Sequence, residues 1–147
     1  MKVIFILGNA GSGKDTQADL LSDHLGFAQI NVGQILRESV NSDDDSYQIL
    51  SESKMIALSG QMAPAEPIGE IVLNQARKLI QEGESVIFNG FPSMIEHLEK
   101  VESWLAENDQ LEPSFIYLSV PINECFSRII ARSADSNRFG RSNRSLG

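Results

Sequence analysis

The chain has 147 residues and a mass of 16.2 kDa, one domain's worth of polypeptide and enough to bury a sizeable core. Apolar residues make up 41% and charged residues 22%, which together with periodic segments excludes disordered and fibrous classes. A net charge of −8 argues against a nucleic-acid partner, and no apolar run approaches the ~18 residues that a membrane span needs.

Lys2 to Leu7 reads KVIFIL, a β-branched and aromatic run of the kind expected for a strand covered on both faces of a parallel sheet. Its apolar part, Val3 to Leu7, is too short for the apolar region of a secretory leader. Gly8 to Lys14 is a glycine-rich turn. Lys14 to Leu25 then predicts a helix, with Ala18, Leu21 and Leu25 on one stripe, Asp15, Asp19 and Asp23 on another, and Gly26 as its stop. Phe27 to Val32 predicts a second strand and Gln34 to about Val40 a helix. The polar stretch Asn41 to Ser46 reads as a loop, and Tyr47 to Leu58 as another helical segment.

The stripe Ile68, Ile71, Val72, Leu79 and Ile80 predicts a long helix ending at Gly83. Ser85 to Phe88 is the third strand, after which Asn89-Gly90-Phe91-Pro92 turns the chain. Ile95, Leu98, Val101 and Leu105 mark a further helix, and Ser114 to Val120 a fourth strand. Asn123 suits the N-cap of a helix expected to carry Phe126, Ile129 and Ile130 inward. That helix holds the one cysteine, Cys125, which excludes an intramolecular disulfide and fits a reducing cytoplasm. With only His24 and His97 beside it, a structural metal is not expected. Strands alternating with helices give an α/β class, a parallel sheet joined by right-handed crossovers.

Two features carry chemistry. Gly8-Asn9-Ala10-Gly11-Ser12-Gly13-Lys14 has the G-x-x-x-x-G-K spacing, in which backbone N–H groups curl around an anion, the helix start adds its dipole, and the lysine brings a mobile charge. An ordinary βα turn is the plain alternative; a buried strand before the motif and an amphipathic helix after it favour the phosphate loop. The generic loop places a magnesium-binding hydroxyl directly after the lysine. Here Asp15 intervenes, and the hydroxyl follows at Thr16. The second feature is a basic tail: residues 128 to 147 carry Arg128, Arg132, Arg138, Arg141 and Arg144 against a single acid, Asp135. Such a tail is either a solvated arm or a phosphate clamp. Arg128 and Arg132, four residues apart on a helix, repel one another unless an anion lies between them.

The loop GSGKDTQ resembles GSGKGTQ of the adenylate kinases and related nucleoside monophosphate kinases, with Asp15 in place of a glycine. The resemblance extends over nearly the whole chain. Val32-Gly33-Gln34-Ile35-Leu36-Arg37 is similar to the TGDLLR element, whose arginine grips the acceptor phosphate. Gly60-Gln61-Met62-Ala63-Pro64 is similar to the stretch that holds the acceptor base. Asn89-Gly90-Phe91-Pro92-Ser93 resembles DGFPR, and His97 falls where the family has a glutamine that reads adenine. SRIIARSADSNRFGR resembles the lid entry, with Arg128, Arg132 and Arg141 on its arginines; Arg138 and Arg144 have no match.

The resemblance implies a three-layer P-loop kinase fold, a single domain over 1–147, with a monophosphate-binding insertion at about 31–64 and a truncated lid at about 133–147. Four strands are present and the family's fifth is missing, which leaves the fourth strand with an uncovered edge open to self-association; the family expectation is a monomer. It also implies ATP bound at Gly8, Gly11, Ser12, Gly13, Lys14, Asp15 and Thr16, with Mg²⁺ and the clamps Arg128 and Arg132. The monophosphate, AMP as first choice, would meet Val32, Arg37, Gly60, Gln61, Met62, Gly90, Phe91, Ser93 and His97. Transfer would rest on Lys14, Arg128, Arg132 and Arg141, with no general base. No residue is expected to ligate the metal directly.

Two departures bear on turnover. Asn89 replaces the aspartate that organises water around magnesium, acting at most through water, and Ser93 replaces an arginine on the acceptor phosphate. Loss of one such clamp is a matter of a few kcal/mol. The alternatives are therefore a nucleotide-binding protein of this descent that has lost turnover, or a P-loop kinase for another small acceptor. Restoring Asp at Asn89 and Arg at Ser93 is expected to raise transfer.

Overall fold

The computed structural model describes residues 1–38 and 65–145, with the side chains of Leu36, Arg37, residues 65–67 and residues 134–145 outside the description. The expected helix from Tyr47 to Leu58 and most of the predicted insertion lie outside the described residues. In chain order the elements are β1 (Lys2–Gly8), α1 (Lys14–Leu25), β2 (Ala28–Asn31), α2 (Val32–Glu38), α3 (Ala65–Gln81), β3 (Val86–Asn89), α4 (Ile95–Ala106), β4 (Glu112–Leu118) and α5 (Ile122–Ser145).

The strands form one parallel sheet in the order β2-β3-β1-β4. The connection from β1 passes over β3 to reach β2, and the connection from β3 passes over β1 to reach β4. Right-handed crossovers running in opposite directions must lie on opposite faces. The core divides accordingly. Val3, Phe5, Val86 and Phe88 face α3 and α4, whereas Ile6 and Ile87 face Ala18 of α1. Phe5 stacks on Phe88 at 4.6 Å and on Phe115 at 4.7 Å, and Trp104 of α4 meets Phe88 edge-on at 5.8 Å. This aromatic ladder crosses three adjacent strands and fixes their register on one face.

Three local differences from the sequence reading have physical causes. Val32 opens α2 instead of ending β2, because Asn31 Oδ1 accepts the N–H of Gln34 at 3.1 Å. That is an N-cap, and it outweighs the β preference of one valine. β4 begins at Glu112, before Pro113, rather than at Ser114. The Glu112 N–H bonds Met1 O at 2.9 Å, so the alternation turns the proline nitrogen away from β1, on an edge where no hydrogen is needed. Finally, two of the apolar residues of α5 expected to face inward do not: Phe126 is 62% exposed and Ile130 65%, whereas Ile129 lies against Gly11. Only Cys125 in its first turns is buried, because among the described residues no further layer covers that side of β4.

No helix among the described residues is long and apolar enough to cross a membrane. Because Phe88 is fully buried within the aromatic ladder, Phe88→Ala is expected to lower unfolding free energy by about 3–5 kcal/mol, read from the midpoint of a urea titration with an unchanged slope.

Candidate active site

The register Ile6↔Asn89 and Gly8↔Leu118 brings the carboxyl ends of β1, β3 and β4 to one edge of the sheet. β1 and β3 are the neighbours whose connections diverge, and the crevice outside such a pair is where open parallel sheets bind ligands. The glycine loop fills this position. Gly11 and Gly13 have φ of 82° and 94°, backbone that side chains rarely adopt, and Ser12 N–H closes the turn onto Asn9 O at 3.0 Å. Gly13 is the N-cap of α1 and no side chain caps it. The first-turn N–H groups therefore remain available to an anion. Lys14 Nζ donates to the loop's own carbonyls, at 2.8 Å to Gly8 O and 3.4 Å to Asn9 O. Ser12 Oγ is buried with no partner among the described residues, an arrangement unfavourable by about 1–3 kcal/mol.

The start of α5 lies against this loop. A Cβ on Gly11 would stand 2.5 Å from Cys125 O and 3.1 Å from Ile129 Cγ1, so only glycine permits the approach. Closeness of backbone delivers the helix's cations. Arg128 Nη1 donates to Ser12 O at 3.4 Å and Gly11 O at 3.5 Å, while its Nη2 pairs with Glu124 at 2.9 Å. A cavity of about 700 Å³ opens between Ala10, Gly11, Gly13, Lys14, Asp15, Ile129, Arg132 and Ser133. Lys14 and Arg132 thus face one space from two elements far apart in sequence. Arg141 falls on the distal part of α5, beyond the described side chains.

At the end of β3, Asn89 is 3% exposed. Its Nδ2 donates to Asp15 Oδ1 at 2.7 Å and to Gln29 Oε1 at 3.3 Å, and Gln29 Nε2 donates in turn to Asp19 at 2.9 Å. Asp15 and Thr16 are exposed at the first turn of α1. Hard divalent cations take oxygen ligands and keep several waters when phosphate is present. A carboxylate, a hydroxyl and an amide around the loop suit Mg²⁺ on that chemistry. Among the described residues no three His, Cys, Asp or Glu side chains group to hold a metal by themselves.

The residues expected from the sequence to meet a monophosphate are less fully described. Gly60, Gln61 and Met62 lie outside the described residues, and Arg37 contributes only its position near the end of α2. Val32 opens that helix. Gly90 sits at φ 80° directly after Asn89. Phe91 is in the core, and its ring lies 4.9 Å from that of His97. His97 itself is 1% exposed; its Nδ1 accepts the N–H of Ser93 at 3.3 Å and stands 3.2 Å from Ser93 Oγ. The imidazole thus steadies the Ser93 turn from below and presents no exposed edge to a base in this conformation.

Sequence reading missed two participants. Gln29 is a polar residue next to Ile30, the buried residue of β2, and Glu124 lies four residues before Arg128, so each had a signal in the sequence. Gly11→Ala is expected to cost about 1–3 kcal/mol of stability through left-handed strain and the Cys125 clash, and to weaken ATP binding measured by calorimetry. Gly26→Ala is the control: it is also left-handed, at φ 70°, but meets nothing within 4 Å, and nucleotide affinity should be unchanged.

A family model described as an AAA domain matches residues 7–146. An adenylate kinase of Phocaeicola vulgatus is 32% identical over 92% of this chain and 69% of its own length. An adenylate kinase 2 of Nostoc sp. is 32% identical over 88% and 68%, and adenylate kinase isoenzyme 1 of Bos taurus 26% identical over 93% and 67%. The loop, the sheet order and these relatives agree: the chain belongs to the adenylate kinase family of nucleoside monophosphate kinases.

Proposed function

We propose that this chain transfers the γ-phosphoryl group of ATP to AMP, giving two ADP. The observation that carries the reading is the facing of Lys14, on the phosphate loop, by Arg132 of α5 across one cavity, with Arg128 beside it on the loop carbonyls of Gly11 and Ser12. In this reading an acceptor phosphate oxygen forms the new bond to the γ-phosphorus while the bond to the β–γ bridging oxygen breaks. The acceptor is already anionic, so no side chain need remove a proton. The chain's task is to align the two nucleotides and neutralise charge. Lys14 exchanges the carbonyls of Gly8 and Asn9 for phosphate oxygens. Arg128 and Arg132 offer planar forks to the transferring group, and Arg141 joins them from further along α5. Asp15, Thr16 and Asn89 would hold Mg²⁺ through its waters, and the ion would supply neutralisation of charge on the donor phosphates. Arg37, Val32, Gly60, Gln61 and Met62 hold the monophosphate, with Gly90, Phe91, Ser93 and His97 forming the turn beneath it. The single thiol of Cys125 suits a cytoplasmic setting, and one chain supplies both the loop and its arginines, so a monomer suffices.

A second reading, nucleotide binding without transfer, is favoured by the neutral Asn89 and by Ser93, whose backbone and hydroxyl both approach His97. Formation of ADP from ATP with each nucleoside monophosphate in turn separates the two. The expected result is fastest formation with AMP and a loss of at least about 100-fold in Lys14→Ala, the scale of removing one preorganised charge-stabilising donor. Ser93→Arg should raise the rate. ATP binding without product from any acceptor would leave only the binding role.

A further inference from the structure

Asp15 and Asn89 are both departures from the family pattern, and they are hydrogen-bonded to each other at 2.7 Å. The direction of that bond is fixed by the network around it. Asp19 accepts only, so Gln29 turns its amide nitrogen toward Asp19 and its oxygen toward Asn89. Asn89 Nδ2 must then donate, and its two hydrogens serve Gln29 and Asp15. A carboxylate at position 89 would instead confront the Asp15 carboxylate and the Gln29 oxygen with no hydrogen to offer. The neutral amide at 89 is therefore what an acid at 15 requires, and the two residues are a matched pair.

The acid sits next to Lys14 and lines the same cavity. A fixed negative charge there opposes a bare triphosphate and favours one whose charge a divalent cation has offset. We propose that Asp15, held by the Asn89 amide, is the cation-organising carboxylate of this site, so that the chain binds the magnesium complex of ATP and discriminates against free ATP. The inference rests on the nucleotide reading of the loop and assigns the carboxylate's role to α1 rather than to the end of β3. It also changes one expectation from the sequence. Asn89→Asp alone brings a second carboxylate within hydrogen-bonding distance of the first and should weaken nucleotide binding; it restores function only together with Asp15→Gly.

The test is calorimetric titration of the intact chain with ATP, in Mg²⁺ and in EDTA, using the wild type, Asp15→Asn, Asn89→Asp and the double variant Asp15→Gly/Asn89→Asp. Wild type should bind at least about tenfold more tightly in Mg²⁺, the scale of one charge-assisted interaction. Asp15→Asn is nearly isosteric, and in it that ratio should fall to about threefold or less, with affinity in EDTA rising as the repulsion disappears. The double variant should recover the wild-type ratio, and does so as an independent test if Asp15→Asn proves unstable by circular dichroism. A wild-type ratio near one, an Asp15→Asn ratio equal to wild type, or a double variant without metal dependence each overturns the proposal and leaves the nucleotide reading intact. Failure of wild type to bind ATP in Mg²⁺ overturns the nucleotide reading and this proposal with it.

Discussion

The site depends on one close approach of main chain to main chain, Gly11 against the Cys125 carbonyl. Without it the first turns of α5 could not lie on the loop, and Arg128 could not reach the carbonyls of Gly11 and Ser12. The approach needs glycine twice over: left-handed backbone at φ 82° and the absence of a Cβ. Both conditions are local, but their effect spans more than a hundred residues of sequence, because the cations of the C-terminal helix are delivered to an anion site built from the first strand and helix.

The sheet makes that delivery possible. β1 lies between β3 and β4, so its carboxyl end is flanked by Asn89 on one side and by the exit toward α5 on the other. Opposed crossovers place α1 on one face and α3 and α4 on the other, with apolar residues of alternating direction serving both. The aromatic ladder Phe88–Phe5–Phe115 holds the three strands in register. A one-residue slip would turn every side chain to the opposite face and move Asn89 away from Asp15. Fold stability and site geometry are thus linked through the same strands.

Much of this was legible in the sequence, for particular reasons. Val3 to Leu7 is uniformly apolar because both faces of β1 are covered, and the glycines of the loop stand where positive φ is needed, so strand, loop and helix could be read directly. The α/β class followed from alternation. The end of β2 was misread because the capping side chain of Asn31 competes with the β preference of Val32. The start of β4 was misread because a proline is harmless on an edge. Phe126 and Ile130 have helical spacing, but periodicity does not say whether a neighbour exists to cover them. The pairing of Asp15 with Asn89 was out of reach, since nothing in spacing joins residues 74 apart; in the sequence they are two separate departures, one replacing a glycine and one an aspartate, whereas in the fold they are hydrogen-bonded to each other.

The central claim is that the loop's backbone amides hold a nucleotide's phosphates while cations of α5 close over them. Amide NMR of the isotopically labelled chain, titrated with ATP and Mg²⁺, tests it most directly. The account predicts large, saturable shifts for the N–H groups of residues 9 to 16 together with the side-chain Nε–H of Arg128 and Arg132. Shifts absent from the loop, or confined to it while both arginines stay unmoved at saturation, would contradict it.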